Sequence, residues 1–216
     1  MNLKKLLLPL LSVSLLAAPV STGYAAETNV AVAETEQGTL SPSSENSDSV
    51  FGGTSASDEP VTDEALQTLL NQIQEQLPAD NGSWSVFVSD LINETEGSIN
   101  DQTMQAASLI KLYIMGAIYE NYDQIIGQYG KDSVDSNLHS MITVSDNDAA
   151  NTLTTYLGGG NSSAGMQAVN SFCQEHGYTQ THMGRMLLAS NDQDDNYTSV
   201  NDCGHFLIEV YKEEES

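Results

Sequence analysis

Ser108 and Lys111 are the residues whose types and spacing are best suited to chemistry. They lie three positions apart in the segment 106–119, and on a helix this spacing places both side chains on one face. The segment is apolar on every side, which predicts a buried helix. Burial disfavours an ammonium ion and shifts Lys111 towards the neutral amine. A serine beside a neutral lysine is a nucleophile with its general base.

The beginning of this helix adds to the same chemistry. If Ser108 opens the helix, nearby backbone N–H groups and the positive end of the helix dipole stabilise an oxyanion. The alternative needs no catalysis: Ser108 caps the helix and Lys111 extends its ammonium group to solvent. Because Ser-x-x-Lys is a short pattern in a serine-rich chain, the motif alone leaves both interpretations open.

A second polar motif, Ser145-Asp146-Asn147, follows after about two short predicted helices. Ser145 offers a hydroxyl for proton relay, and Asn147 offers a carboxamide that holds an amide substrate. The alternative is structural, with Ser145 as a helix cap and Asp148 completing the capping box.

The composition excludes several classes of partner. The 216-residue chain carries 30 acidic and 6 basic residues, a formal net charge of −24 at pH 7. Nucleic acid and anionic membrane surfaces repel such a chain. Its hydrophobic fraction of 39% suffices for the core of one sizeable domain. We expect a monomer without a cofactor.

The N-terminal part of the chain predicts export. Residues 1–25 combine two lysines, a short apolar run and a small-residue cleavage site, the pattern of a signal peptide. The apolar run is too short to span a bilayer. Residues 26–60 contain almost no large apolar side chain, which is typical of a disordered acidic linker. We therefore expect a secreted protein, not inserted in a membrane after signal cleavage, whose folded domain occupies residues 61–216.

Cys173 and Cys203 are the only cysteines of the chain. In an oxidising compartment they are candidates for one disulfide. Three histidines nearby in the sequence raise the alternative of a zinc site. Their spacing matches no common zinc pattern, so no metal is expected.

The apolar periodicity predicts helices and one hairpin. A first helix begins near Thr62 or Asp63 and ends before Pro78. The hairpin has a strand at 84–88, a turn at 93–97 and a return strand at 97–100. After the Ser108 helix everything looks helical, with apolar stripes at 138–142, 149–157, 166–173 and 203–211. The last helix begins behind Ser199, which is expected to form a capping box with Asp202.

This inventory contains only two strands, and a lone hairpin is marginal in water even when a helix covers it. The chain then ends at residues 213–216 with carboxylates at the negative end of a helix. We therefore expect an unfinished sheet and a sequence that is truncated at its C-terminus.

Taken together and in this order, the motifs resemble the penicillin-recognising active-site-serine enzymes. The closest likeness is to class A β-lactamases and related secreted serine hydrolases. It is carried by Ala106–Lys111, Met141–Asn151 and Asn196–Ser199. The resemblance covers roughly residues 62–212 and implies an α+β fold of the β-lactamase/transpeptidase type. Such a fold would combine an all-α subdomain with, here, an incomplete antiparallel sheet that lacks its C-terminal strands.

The resemblance also implies roles for the polar residues of both motifs. Ser108 would be the acylated serine, with Lys111 as its base and its own backbone N–H as one oxyanion donor. Ser145 would relay a proton. Asn147 would bind the substrate amide.

A further set of residues resembles the family's omega loop, and we call residues 185–196 the omega-like segment. Arg185 would close it by pairing with Asp194, Asp195 or Asn196; the alternative is a solvated surface arginine. Asn191 matches an asparagine that helps to hold the deacylating water.

The two ends of this loop meet in the family, and the cysteines lie on predicted helices either side of it. The resemblance thus implies a disulfide between Cys173 and Cys203 that closes the base of the segment.

Two departures from the family affect the expected function. The third motif, Lys-Thr-Gly or a variant on a sheet strand, does not occur before the chain ends. Between Arg185 and Tyr197 there is also no glutamate to activate the deacylating water, so efficient β-lactam hydrolysis is not expected. We expect a serine hydrolase or acyltransferase that acts on peptidoglycan peptides or a related amide. The alternatives are a β-lactamase and a non-catalytic module that binds β-lactam or wall peptide.

Overall fold

The structure, a computed structural model, describes residues 63–78 and 82–212 of the chain. The signal peptide predicted at 1–25 and the linker predicted at 26–60 lie outside these residues. Within the described ranges, no helix combines the length and apolarity needed to cross a membrane.

The described chain forms a mixed α+β structure with seven α-helices and five short strands. The helices are α1 (Asp63–Gln76), α2 (Ile110–Glu120), α3 (Tyr122–Tyr129), α4 (Lys131–Thr143), α5 (Asn147–Leu157), α6 (Ser162–Glu175) and α7 (Val200–Lys212). The strands are β1 (Val86–Asp90), β2 (Thr95–Ile99), β3 (Met104–Gln105), β4 (His182–Met183) and β5 (Asn196–Thr198). A 3₁₀ turn, Ala107–Leu109, leads into α2.

Helix α2 forms the centre of the helical part and packs against α4, α5 and α6. Apart from Lys111 and Glu120, its side chains are apolar or aromatic, and most of them are buried. The residues with 0% exposure are Ile110, Tyr113, Ile114, Met115 and Ile118. This confirms the buried helix predicted from the segment around Ser108.

The hairpin of β1 and β2 packs on α1. The strands pair antiparallel from Val86 opposite Ile99 to Asp90 opposite Thr95. Leu66 and Leu70 of α1 and Ile99 of β2 form a small buried apolar cluster. The predicted first helix is thereby confirmed, because its apolar face is the one that covers the hairpin.

The turn of the hairpin lies earlier than predicted. It occupies residues 91–94 instead of 93–97, and the strands begin at Val86 and Thr95 instead of residues 84 and 97. Asp90 explains the shift: its Oδ1 accepts hydrogen bonds from the N–H groups of Ile92 and Asn93, at 2.9 and 3.0 Å. An aspartate that binds the backbone two and three residues on closes a turn at that point.

A second, three-stranded sheet was not predicted, and the expectation that only helices follow the Ser108 helix is wrong. The sheet has the antiparallel order β3-β5-β4, with Gln105 and His182 on either side of Tyr197. Its strands have two or three residues each. Strands this short show no apolar periodicity, so the local sequence does not predict them.

Two expected helix caps differ from the structure. Helix α5 is capped by Asp146, whose Oδ1 accepts from the N–H groups of Asp148 and Ala149 at 2.8 and 3.0 Å. Ser145 is therefore not the cap. At α7, Ser199 Oγ does accept from the N–H of Asp202 at 3.2 Å. The Asp202 carboxylate does not complete a box, because it accepts hydrogen bonds from Gln180 and Thr181.

The expected disulfide is not formed. Cys173 and Cys203 are both free thiols. Cys173, on α6, has 0% exposure within the core. Cys203, on α7, lies 3.4 Å from the Tyr113 hydroxyl, which donates a hydrogen bond to its Sγ. The two sulfur atoms thus lie in different surroundings, and the predicted disulfide is absent from the structure.

Candidate active site

Ser108 and Lys111 meet as their spacing predicts. Ser108 lies in the exposed 3₁₀ turn, and Lys111 lies in the first turn of α2 with only 3% exposure. Lys111 Nζ is 3.3 Å from Ser108 Oγ. Because Lys111 is buried, the alternative in which it extends to solvent is wrong. The Ser108 hydroxyl is accessible, while the Lys111 amine beneath it is desolvated.

Ser145 brings the second motif to the same amine. It follows α4 with φ = +57°, a left-handed conformation that non-glycine residues rarely adopt. In this conformation it turns both of its oxygens to Lys111, with Nζ 2.5 Å from the carbonyl oxygen and 2.9 Å from Oγ. Ser145 Oγ is also 3.0 Å from Ser108 Oγ. The two hydroxyls and the amine therefore form one hydrogen-bonded triangle.

Asn147 completes the set of groups around the amine. As the first residue of α5 it follows the cap residue Asp146, which fixes where the helix begins. Lys111 Nζ donates to Asn147 Oδ1 at 2.8 Å. The structure thus brings together four of the predicted site residues: Ser108, Lys111, Ser145 and Asn147.

Burial shifts Lys111 towards the neutral amine. Burial lowers its pKa below the usual value, although the negative charge of Asp146 acts in the opposite direction. The Ser145 carbonyl and Asn147 Oδ1 are acceptors only, and they engage two N–H bonds. A neutral amine then has its lone pair left for a hydroxyl proton. The geometry is that of a base poised beside a nucleophile.

The turn that carries Ser108 is strained on its N-terminal side. Ala107 has φ = +46°, again in the left-handed region, and such a conformation persists only where the surroundings hold it. The preceding residue, Ala106, is buried at 1% exposure and donates its N–H to Asn196 O at 2.7 Å. Strand β5 therefore supports the backbone that leads to the nucleophile.

The omega-like segment is closed by one ion pair. Arg185 Nε lies 2.6 Å from Asp195 Oδ1, and the arginine side chain is 20% exposed. Of the three expected partners, Asp195 pairs with the Arg185 side chain and Asn196 accepts from the Arg185 N–H at 3.1 Å. The alternative of a solvated arginine is therefore wrong. Asn191 Nδ2 donates to the other oxygen, Asp195 Oδ2, at 3.2 Å.

The Asp195 carboxylate is held in its charged form. Burial acts to raise its pKa, but hydrogen bonds from the Asn196 N–H and from Asn191, Gln105 and Arg185 bring the pKa below its usual value. The Asp195 carboxylate is therefore negatively charged at neutral pH.

Several contacts that shape the site were not predicted. Asn151 binds the backbone of Leu187 in the omega-like segment, and Asn196 Oδ1 accepts from the N–H groups of Gly184 and Arg185. Gln105 reaches Asp195 from strand β3. The sequence did offer a signal for Asn151: it lies four residues after Asn147, which places both side chains on the same helix face. Gln105 gave none, since its partner is set by the three-stranded sheet. Asn196 was expected only as a partner of Arg185, and its contact with Gly184 was not predicted.

The histidines do not gather into a metal site. His182 pairs with Asp194 and His205 with Glu96, each at 2.7–2.8 Å. In the ranges that the structure describes, no three His, Cys, Asp or Glu side chains are arranged to hold a metal ion.

A Ser-x-x-Lys pair at the start of a buried helix, joined by Ser-x-Asn at the entrance of a second helix, defines an active-site-serine protein of α+β fold. Comparison with known families agrees with this class. Residues 67–131 and 128–215 match the β-lactamase enzyme family, and these matches span most of the chain. The chain therefore belongs to the β-lactamase enzyme family, and the resemblance to penicillin-recognising serine enzymes is confirmed.

Solved structures of penicillin-binding protein D2 from Listeria monocytogenes are similar to this chain. The ampicillin-bound form shares 18% identity over 59% of this chain and 60% of the solved one, with a TM-score of 0.48. The cefotaxime-bound form shares 19% identity over 59% and 61%, with the same TM-score of 0.48. The chain thus spans about three fifths of the length of these solved chains. Comparison with curated proteins gave no match.

Proposed function

We propose that this chain is an exported serine hydrolase or acyltransferase that forms an acyl-enzyme at Ser108 with an amide of peptidoglycan peptides. One observation carries the proposal: the buried Lys111 amine contacts the hydroxyls of both Ser108 and Ser145, at 3.3 and 2.9 Å. Export rests on the signal peptide predicted at 1–25 and would bring the enzyme to the cell wall, where such amides occur.

The proposed reaction gives Ser108, Lys111 and Ser145 each a defined role. Lys111, as the neutral amine, takes the Ser108 proton while Oγ attacks the carbonyl carbon of the amide. The negative charge that forms on the carbonyl oxygen is stabilised by the Ser108 backbone N–H at the helix entrance. The proton then passes from Lys111 through Ser145 Oγ to the departing nitrogen, and the C–N bond breaks to leave an ester on Ser108. Water or an acceptor amine subsequently cleaves the ester.

The direct test is covalent labelling with a fluorescent penicillin, whose strained amide acylates an activated serine. We expect label on Ser108, located by peptide mapping, and no label in Ser108→Ala. Lys111→Ala is expected to label at least about 100-fold more slowly, the scale of general-base catalysis. Ser136→Ala, on an exposed position of α4, is the matched control and should label normally. Label that persists in Ser108→Ala would overturn the proposal.

A second candidate function, a covalent sensor or trap for β-lactams, is favoured by the carboxylates of the omega-like segment. Each is engaged: Asp192 accepts from Ser190 Oγ at 2.7 Å, Asp194 pairs with His182 at 2.7 Å, and Asp195 with Arg185. No glutamate occurs in the segment. The segment therefore offers no free carboxylate to act as the base for deacylation.

Mass spectrometry of the penicillin adduct over time separates the two candidates and the β-lactamase alternative. An adduct that persists for many minutes with penicillin, but turns over with a wall-peptide amide, favours the hydrolase. One that persists with both favours the sensor. Turnover of penicillin at about 10 per second or more, typical of efficient enzymes, would restore the β-lactamase alternative.

A further inference from the structure

We infer that Gln105 is a positioning residue for the nucleophile, which it joins to the omega-like segment through the Asp195 carboxylate. The inference rests on the proposed function of Ser108. It concerns a side chain outside both sequence motifs. It depends on three features of the structure: the contact of Gln105 with Asp195, the way Asp195 is held, and the strained backbone before Ser108.

The first contact is that of Gln105 itself. It is the last residue of β3, three positions before Ser108, and its Nε2 donates to Asp195 Oδ2 at 2.5 Å. An amide that donates to a carboxylate forms a charge-assisted hydrogen bond, which is stronger than one between neutral groups. The side chain therefore ties the strand before the nucleophile to a residue 90 positions later in the chain.

The second feature is how firmly Asp195 is fixed. The residue is 5% exposed. Its Oδ1 accepts from Arg185 Nε at 2.6 Å and from the Asn196 N–H at 2.8 Å, while its Oδ2 accepts from Asn191 as well as from Gln105. Because four donors bind the Asp195 carboxylate, it cannot rotate when the Gln105 side chain moves. It acts as an anchor for it.

The third feature is the need for such an anchor. Beyond Ser108 the chain enters α2, whose first residue, Ile110, is fully buried. Before Ser108 lies Ala107, with its strained φ of +46°. The backbone support there is the two-residue strand β3 and the Ala106 N–H bond to Asn196. A short strand holds a strained residue weakly, so the Gln105 side chain adds the missing restraint.

The consequence is a mechanical link between the nucleophile and the omega-like segment. If the Gln105 bond is lost, Ala107 can relax towards an ordinary φ, and Ser108 Oγ moves relative to Lys111 Nζ and Ser145 Oγ. Attack geometry tolerates little displacement, since a shift of about 1 Å can cost on the order of 100-fold in rate. Asn147, which binds the substrate amide in the proposed function, belongs to α5 and not to this turn. We therefore expect the acylation step, and not substrate binding, to be slowed.

The test uses three variants of the full chain. Gln105→Ala removes the bond, and Gln105→Asn keeps an amide but is one methylene too short to reach Asp195. Gln102→Ala, an exposed glutamine in the same segment, is the matched control. Acylation by a fluorescent penicillin is followed over a range of probe concentrations, which separates the dissociation constant of the encounter complex from the acylation rate constant. Amide hydrogen exchange at Ala106 and Asn196 is measured alongside.

We expect Gln105→Ala and Gln105→Asn to lower the acylation rate constant by about tenfold, the scale of one charge-assisted hydrogen bond. The dissociation constant is expected to stay within about twofold, and exchange of the Ala106 amide to become faster. Gln102→Ala should match the wild type in each measurement.

The inference is overturned if both Gln105 variants acylate at the wild-type rate, or if they change only the melting temperature or the dissociation constant. A wild-type chain that takes no label contradicts the proposed function instead. In that case unchanged exchange at Ala106 in Gln105→Ala overturns the link to Asp195, and faster exchange supports it.

Discussion

The carboxamide of Asn151 binds Leu187 at both of its backbone polar groups. Nδ2 donates to the Leu187 carbonyl at 3.0 Å, and Oδ1 accepts from the Leu187 N–H at 2.8 Å. Asn151 lies one turn beyond Asn147 on α5, so one helix face both contacts Lys111 and holds the omega-like segment. The next residue, Leu188, has φ = +65° and is 77% exposed. The segment is thus held against the site through its backbone.

Replacing Asn151 by alanine should loosen this segment. Two hydrogen bonds are lost and the Leu187 backbone groups are left without their partner, so we expect a destabilisation of about 1–3 kcal/mol. Asn151→Asp keeps the acceptor but places a carboxylate oxygen against the Leu187 carbonyl oxygen, so its cost should be at least as large. Asn137→Ala, which removes a single bond to Ser133 within α4, is the control. Urea unfolding measures the costs, and an Asn151→Ala cost no larger than that of Asn137→Ala would contradict the prediction.

The close approach of α5 and α6 depends on Gly165. A Cβ at this position would lie 1.8 Å from the backbone oxygen of Thr154, whereas a Cβ at Gly127 of α3 would meet nothing within 4 Å. We expect Gly165→Ala to destabilise the fold by about 1–3 kcal/mol or more, because backbone must move. Gly127→Ala should stabilise it by about 0.5–1 kcal/mol, since alanine loses less entropy in a helix. Melting temperatures that change in the same direction for both variants would show that the helix contact is not as tight as described.

Much of the helical part and half of the site could be predicted from the sequence, because their signals are local. The apolar period of α1 and the all-round apolar character of α2 reflect the surfaces that they bury. The contact of Ser108 with Lys111 follows from helix geometry, which brings residues three apart onto one face. The second motif was recognised by its residues, although its structural alternative placed the cap one residue too early.

The remaining features depend on contacts between distant segments. Ser145 reaches Lys111 only because its backbone adopts φ = +57° between α4 and α5, and no residue type there announces a left-handed conformation. The bond of Gln105 to Asp195 joins residues 90 positions apart across a sheet whose strands are too short to show a pattern. The same limit applies to the cysteines, whose predicted pairing came from family resemblance and not from their own surroundings.

The two cysteines should be free and unreactive in the folded protein. Burial raises the pKa of Cys173 to about 12 and also raises that of Cys203, so little thiolate exists near neutral pH. We expect a thiol reagent at pH 8 to react slowly with the folded chain and to titrate two thiols after denaturation without a reductant. Cys203→Ser should reduce that count to one. A denatured chain with no titratable thiol would instead show that the disulfide forms.

Asp202 is expected to make the stability depend on pH in an unusual direction. It is 5% exposed, and burial raises its pKa despite hydrogen bonds from Thr181 and the Gln180 N–H. The folded state then holds this proton to a higher pH than the unfolded state. Between the unfolded and folded pKa values the free energy of unfolding therefore falls as pH rises.

Asp202→Asn tests this directly, because it removes the charge and keeps a side-chain acceptor. The stability of Asp202→Asn relative to the wild type should rise from about pH 4 towards neutral pH. Asp123→Asn, at an exposed position of α3, controls for the change in net charge. Urea unfolding at several pH values gives the difference, and a flat difference for Asp202→Asn would contradict the assigned pKa direction.

The protonation of Lys111 should govern the pH dependence of acylation at Ser108. Burial lowers its pKa from the ordinary 10.5, and the charge of Asp146 partly opposes this shift. The ammonium form has no lone pair, so the acylation rate constant should rise with pH as Lys111 loses its proton and level off above its pKa. We expect the midpoint of that rise to lie below 10.5.

Asp146→Asn is the variant that tests this pH dependence of acylation most directly. Asparagine caps a helix about as well as aspartate, so α5 should keep its start while the opposing negative charge disappears. The midpoint should therefore move to lower pH, and more of the amine will be neutral at any pH below it. Asp148→Asn, two residues on and exposed, is the matched control and should leave the midpoint near that of the wild type. Stopped-flow acylation with a fluorescent penicillin from pH 5 to pH 10 provides the measurement. A midpoint that moves to higher pH in Asp146→Asn, or that moves equally in both variants, would mean that Lys111 is not the group that takes the Ser108 proton.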